Sequence, residues 1–213
     1  MTAERRRPLR SDAAANRDRL LAAAVAAVKR DGEKVPMATV AAEARVGVGT
    51  LYRHYPTREA LLSALETKSY DLVLSAARRA AESPGPALTA LQDFLDHAIR
   101  RRDELILPLH GGPVTVDPHT VALRDAISQA LDRVLARGQA EGTIAPDITS
   151  GDIIIMGALL AHPLPHAPNW EQTARRAACI YLGGLAPGRA SDLPSAGLTR
   201  ADLEAGFSAT PSR

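Results

Sequence analysis

Within ten residues of Val48 the chain gathers side chains whose chemistry suits the edges and backbone of a nucleic acid. Arg53 can bond guanine O6 and N7 through two parallel N–H groups, and Tyr52 beside it can meet a base edge or a phosphate. Thr50 and His54, four residues apart, flank that pair on one helical face. Val48 can touch a thymine methyl, and Gly49 lies between it and Thr50. Arg58 falls at the amino end of the next helix, where unpaired N–H groups and the helix dipole favour phosphate. The blander reading is that Tyr52 packs on the following helix and His54 is an ordinary surface histidine.

These groups need a scaffold, and the neighbouring residues describe one. Met37, Val40, Ala41 and Ala44 recur at helical spacing. Gly47 and Gly49 supply permissive backbone for a chain reversal. A second helix then runs from Gly49 to Tyr55 and is stopped by Pro56. Leu51 and Tyr55, four apart, face inward and leave the polar groups outside. Two short helices joined this way form a helix-turn-helix, whose second helix enters the DNA major groove. Gly47-Val48-Gly49-Thr50 has only a superficial likeness to a phosphate loop, because the Gly-Lys-[Ser/Thr] ending is missing.

The run Gly49-Thr50-Leu51-Tyr52-Arg53-His54-Tyr55-Pro56-Thr57-Arg58-Glu59-Ala60-Leu61-Leu62 resembles the recognition helix and following helix of the TetR family of bacterial repressors. Arg19 to Ala24 and Asp31-Gly32 are similar to that family's first helix and its end, so the resemblance covers residues 12–65. Beyond them it extends to helix pattern and length, closest to the SbtR-like branch. Arg45 stands where the family usually has a turn glycine, and Pro36 where it usually has a capping Ser or Thr. The resemblance implies phosphate clamps at Thr50 and His54. It further implies a repressor that binds operator DNA as a homodimer, needs no cofactor, and is released by a small-molecule effector. An effector-insensitive or activating relative is the near alternative. A helical enzyme or metal-binding module with an incidental helix-turn-helix is the distant one.

Charge agrees with that division of labour. The net charge is +2 over 213 residues, but residues 1–58 hold 12 Lys and Arg against 6 Asp and Glu, and residues 59–213 hold 14 against 18. A basic end on a mildly acidic body suits phosphate at one end. No apolar run reaches the roughly 18 residues of a membrane span, and no signal-peptide segment follows the early arginines, so a cytoplasmic location is expected. The single cysteine, Cys179, excludes an intrachain disulfide, and its neighbours Ala178 and Ile180 favour burial. No Gly-x-Ser-x-Gly elbow is present. Prolines between His162 and His166 argue against a shared metal-binding face, and no metal is expected.

The expected fold is all-α: a three-helix DNA-binding domain over 11–56 after a basic disordered arm (1–10). A helical effector-binding and dimerisation domain follows over 57–184, and then a mobile tail over 185–213, in which Thr199 to Gly206 can form one short amphipathic turn or two. Helix starts are marked by Thr57, by Asp117-Pro118, by Thr149 with Asp152, and by Asn169 with Gln172. The helix beginning near Gly151 is apolar on every side, which requires burial on every side. Ile154, Ile155 and Leu159 on it, with the narrow stripe Ala174, Ala177, Ala178 and Tyr181 on the last long helix, are the expected dimer interface. A greasy cavity for a mostly apolar effector is expected between the central helices, with Tyr70, Phe94, His97 and His110 in its lining.

Overall fold

The computed structural model describes residues 8–110, 117–162, 169–188, 193 and 196–209. Among them the chain forms helices only. They are α1 (Pro8–Asp31), α2 (Met37–Glu43), α3 (Val48–His54), α4 (Arg58–Glu82), α5 (Ala87–Arg101), α6 (Pro118–Ala140), α7 (Ser150–Leu160), α8 (Trp170–Gly184) and α9 (Arg200–Ala209). Short 3-10 turns at Arg102–Glu104 and Pro108–His110 lie between α5 and α6.

Local sequence explains most of the helix ends. Thr57 Oγ1 accepts a bond from Ala60 N at 3.1 Å and starts α4. The Asp117 carboxylate accepts from His119 N and Thr120 N, with Pro118 in the first turn of α6. Asp152 Oδ2 receives Thr149 N at 2.8 Å and Thr149 Oγ1 at 2.9 Å, which locks the entry to α7. Asn169 departs from expectation. It opens α8 in left-handed backbone, φ 52°, without a side-chain cap bond. The arm expected over 1–10 is shorter at its inner end, since α1 already includes residues 8–10; residues 1–7 lie outside the described set.

Two cores hold these helices. Leu20 and Ala24 of α1, Val40 of α2, Leu51 of α3, and Leu61 and Leu65 of α4 build an amino-terminal head. Leu91, Leu95 and Ile99 of α5, Leu131 and Val134 of α6, and Ile153 of α7 build a larger body. Fully burying one such leucine contributes about 1.5–3 kcal/mol. The division falls inside α4, between Leu65 and Tyr70, rather than at the break near residue 56. One helix thus belongs to both units. The segment after α5 also crosses the boundary: Ile106 enters the head core, while Leu105 and Leu107 enter the body core. Ser69 on α4 fixes that crossing, accepting from Ile106 N at 2.9 Å and donating to Leu65 O at 2.8 Å.

Candidate nucleic-acid interface and internal cavity

The α2–α3 corner forms without a positive φ at either Gly47 or Gly49; Gly47 is extended, at φ −66° and ψ 143°. The left-handed position falls instead on Arg45, at φ 55°. Ala44 N and Val46 N reach back to Val40 O and Ala41 O at 3.0 Å and close the end of α2. A side chain with Cβ is disfavoured there, so the corner is tight where a glycine would be at ease. Pro36 precedes α2 and donates nothing; only its carbonyl joins in, accepting from Thr39 N and Val40 N.

Leu51 is fully enclosed and Tyr55 nearly so, which anchors α3 on the head core. Tyr55 then leaves the helix in extended backbone before Pro56. The opposite face is open. Val48 is 42% exposed and Tyr52 46%, while Gly49 and Arg53 are exposed and Thr50, His54 and Arg58 half-buried. The outward groups therefore form one patch. Arg58 is the first residue of α4, one turn beyond the end of α3, where free N–H groups add to its charge.

The body contains a cavity of about 80 Å³ between α4, α5, α6, α7 and α9. Tyr70 and Phe94 line it, as expected. His97 does not. Its Nδ1 lies 3.2 Å from Arg79 Nη2, and burial with the nearby arginines lowers its pKa. The backbone of His110 sits in a 3-10 turn, and its side chain lies outside the described set.

Two cavity groups escaped sequence reasoning. Arg124 on α6 is 7% exposed, with its guanidinium carbon 5.6 Å from the centre of the Tyr70 ring. Its Nε donates to Glu204 Oε1 at 2.5 Å and its Nη2 to Glu204 Oε2 at 2.7 Å. Glu66 of α4, fully enclosed, approaches the same guanidinium at 3.8 Å. A signal for Arg124 existed: it interrupts the inward stripe Leu123, Ile127, Leu131 with a cation. Nothing in the sequence pointed to Glu204, which lies in the tail expected to be mobile. Residues 200–209 form α9, longer than the turn or two expected over 199–206, started by Thr199 N donating to Asp202 Oδ2 at 2.8 Å.

The expected dimer stripe needs correction. Ala174 and Ala178 are fully enclosed in their own chain's core, and Ala177 and Tyr181 pack against it. Ile154 turns toward the cavity. The residues that face outward are Leu159 at 61% and Ile180 at 65% exposure, with Ile155 half-buried. Cys179 is exposed as well, against expectation, with Sγ 3.4 Å from Gln92 Oε1. The stripe was misassigned because α5 already occupies the small-residue side of α8.

Comparison with known proteins bears on the whole arrangement. Residues 20–65 match the family model for bacterial regulatory proteins of the tetR family, and residues 83–187 match the C-terminal domain of SbtR-like transcriptional regulators. Both matched segments end before α9. The HTH-type transcriptional repressor KstR of Mycolicibacterium smegmatis is 32% identical over 135 residues, 62% of this chain and 66% of that protein. The HTH-type transcriptional repressor LfrR of the same organism is 30% identical over 114 residues, 54% of this chain and 60% of that protein. The chain therefore spans just under two thirds of the length of these curated relatives. Among solved structures, the TetR transcriptional regulator SCO0520 from Streptomyces coelicolor is 32% identical, with a TM-score of 0.53 over 81% of this chain and 99% of that one.

Proposed function

The chain belongs to the TetR family of bacterial regulatory proteins, and from that premise we propose a transcriptional repressor that grips operator DNA as a homodimer and releases it when a small apolar molecule fills the cavity. The observation that carries this reading is α4. Its first turn follows the exposed face of α3, and its Tyr70 lines the cavity about 18 Å further along the same helix, at 1.5 Å per residue.

In this reading Arg53 and Tyr52 read base edges, Val48 meets a thymine methyl, and Thr50, His54 and Arg58 hold backbone phosphates, with Gly49 allowing close approach. Two copies joined through the outward apolar groups of α7 and α8, Leu159 and Ile180 foremost, bury surface that water otherwise covers. A twofold pairing sets two α3 helices one DNA turn apart, roughly 34 Å, on a near-palindromic site. Its work is binding, carried out in the cytoplasm where the chromosome lies.

Release follows from what the cavity touches. A ligand that spreads Leu105 and Leu107 also moves Ile106, which sits in the head core, and Ser69, which ties that strand of chain to α4. Lys29 of α1 donates to Arg102 O and lies 3.9 Å from Asp103, a further tie between head and body. Ligand and DNA then oppose each other reciprocally through the tilt of α4.

The test is selection of genomic fragments by the purified protein, followed by titration at several salt concentrations. We expect a discrete set of near-palindromic sites and a steep fall of affinity with salt. Sedimentation should show a dimer at micromolar concentration. Retention without sequence preference, or a monomer, would sink the reading.

A further inference from the structure

We propose that the cavity takes an apolar monocarboxylic acid, whose carboxylate displaces Glu204 from Arg124 and so lifts α9 off the body. This rests on reading the cavity as the effector site. Arg124 is nearly buried on the cavity wall and is held by Glu204 through two parallel hydrogen bonds. That fork-to-fork geometry is how a guanidinium recognises a carboxylate. Most of the remaining wall is hydrocarbon, from Val73, Phe94, Leu105 and Ile127. An alkyl chain ending in a carboxylate matches both parts of that surface.

The way α9 is attached suits a tethered competitor. Its lead-in is tightly seated on the start of α7: Thr149 Oγ1 donates to Leu198 O at 3.0 Å. A Cβ at Gly151 would stand 2.1 Å from that same oxygen, and one at Gly197 would stand 2.7 Å from Thr149 Cγ2. Among the described side chains, the helix beyond meets the body through one face only. It gives Leu203 and Glu204 to the cavity, while Ala201, Asp202, Ala205 and Gly206 are exposed. The anchored segment 197–199 can therefore serve as a hinge about which α9 leaves and returns.

Space and charge both require the exchange. With α9 seated, about 80 Å³ admits only a short apolar fragment, and the donors of Arg124 facing it are already engaged. An incoming acid replaces one carboxylate by another, so the charge around Arg124 and Glu66 is unchanged. An alkylammonium ion has no such exchange, because it would set a second cation beside Arg124.

The experiment is calorimetric titration of the full-length protein, and of its Glu204→Gln variant, with hexanoic, octanoic and decanoic acids. The matching alcohols and alkylammonium ions are the controls, and hydrogen exchange reports on residues 200–209. We expect acids to bind more tightly than alcohols and to raise exchange in α9. Glu204→Gln should tighten the acids by about tenfold and leave the alcohols nearly unchanged, because it weakens only the competitor. Alcohols equal to acids in both proteins, or acids that bind without raising exchange in α9, would overturn the proposal while leaving the effector cavity in place. Alkylammonium ions that bind best and lose affinity in Glu204→Gln would overturn it too, by making Glu204 the ligand-binding group. No binding by any compound to either protein would take down the effector reading itself.

Discussion

The head and the body solve opposite problems with the same kind of helix. In the head, short helices bury Leu51 and Tyr55 so that the neighbouring Tyr52 and Arg53 stay outside. In the body, long helices turn charged groups inward, and Arg124 and Glu66 sit where an apolar residue would ordinarily be. The head exposes its chemistry and stabilises it by apolar anchors one to three residues away. The body hides its chemistry and depends on partners far along the chain, as when α6 meets α9. Function by surface contact can be read locally; function by enclosure cannot.

The sharpest way to break that contrast is Arg124→Ala. Glu204 is part-exposed and can turn to water, but Glu66 has no exposure and loses the cation that stands 3.8 Å from it inside the body. We expect a loss of about 3–5 kcal/mol in chemical denaturation. A loss below about 1 kcal/mol, the range of an exposed pair, would mean that the body tolerates hidden charge as easily as the head tolerates exposed charge. Leu51→Ala comes next, at about 2–5 kcal/mol for a fully enclosed leucine. It should abolish DNA binding while the body keeps its cavity, measured as retained ligand titration beside lost DNA retention.

Smaller effects sharpen the picture. Arg53→Ala should weaken DNA binding by about 1–3 kcal/mol and relax preference at one base pair per half-site, with the melting temperature unchanged. Base preference that survives intact would show that the outward patch of α3 is not the reading face. Asp117→Ala should cost about 1 kcal/mol at neutral pH as a lost helix cap. Its bonds to Thr120 and His119 hold the Asp117 pKa below the usual carboxylate value. The carboxylate's contribution is therefore present above the unfolded pKa and fades as pH falls through the lower folded one. In denaturation at graded pH, the difference between wild type and Asp117→Ala should shrink only in that acid window. Arg45→Gly should stabilise the head by about 0.5–1 kcal/mol, since glycine adopts φ 55° without the Cβ conflict.

How far the sequence could be read follows the same line. The all-α class, the corner between α2 and α3, and the caps at Thr57, Asp117 and Thr149 rest on contacts two to five residues apart, and each was visible as a pattern of residue types. The role of Arg45 was visible only as a departure from the family's glycine, and the glycines nearby were misread as the flexible points. Cys179 and the Ala174–Ala178 stripe were misjudged because neighbours in sequence say how apolar a helix face is. They do not say which other helix covers it. Small residues do permit close approach, but in α8 the helix that approaches is α5 of the same chain.

By itself, then, the sequence determined that α3 stops before Pro56 and α4 starts after Thr57, which face of α3 carries Tyr52 and Arg53, and that charge is concentrated at the amino end. Those properties follow from the 3.6-residue period, from capping and from composition, all of which are local. Only the tertiary structure decided that the two cores meet inside α4, that Leu159 and Ile180 rather than Ala174 and Ala178 look outward, and that Glu204 crosses 80 residues to hold Arg124 in the cavity wall. Each of these depends on which helices pack together. A side chain on an apolar stripe can face its own core, a cavity or a second copy, and nothing within four residues of it distinguishes among them.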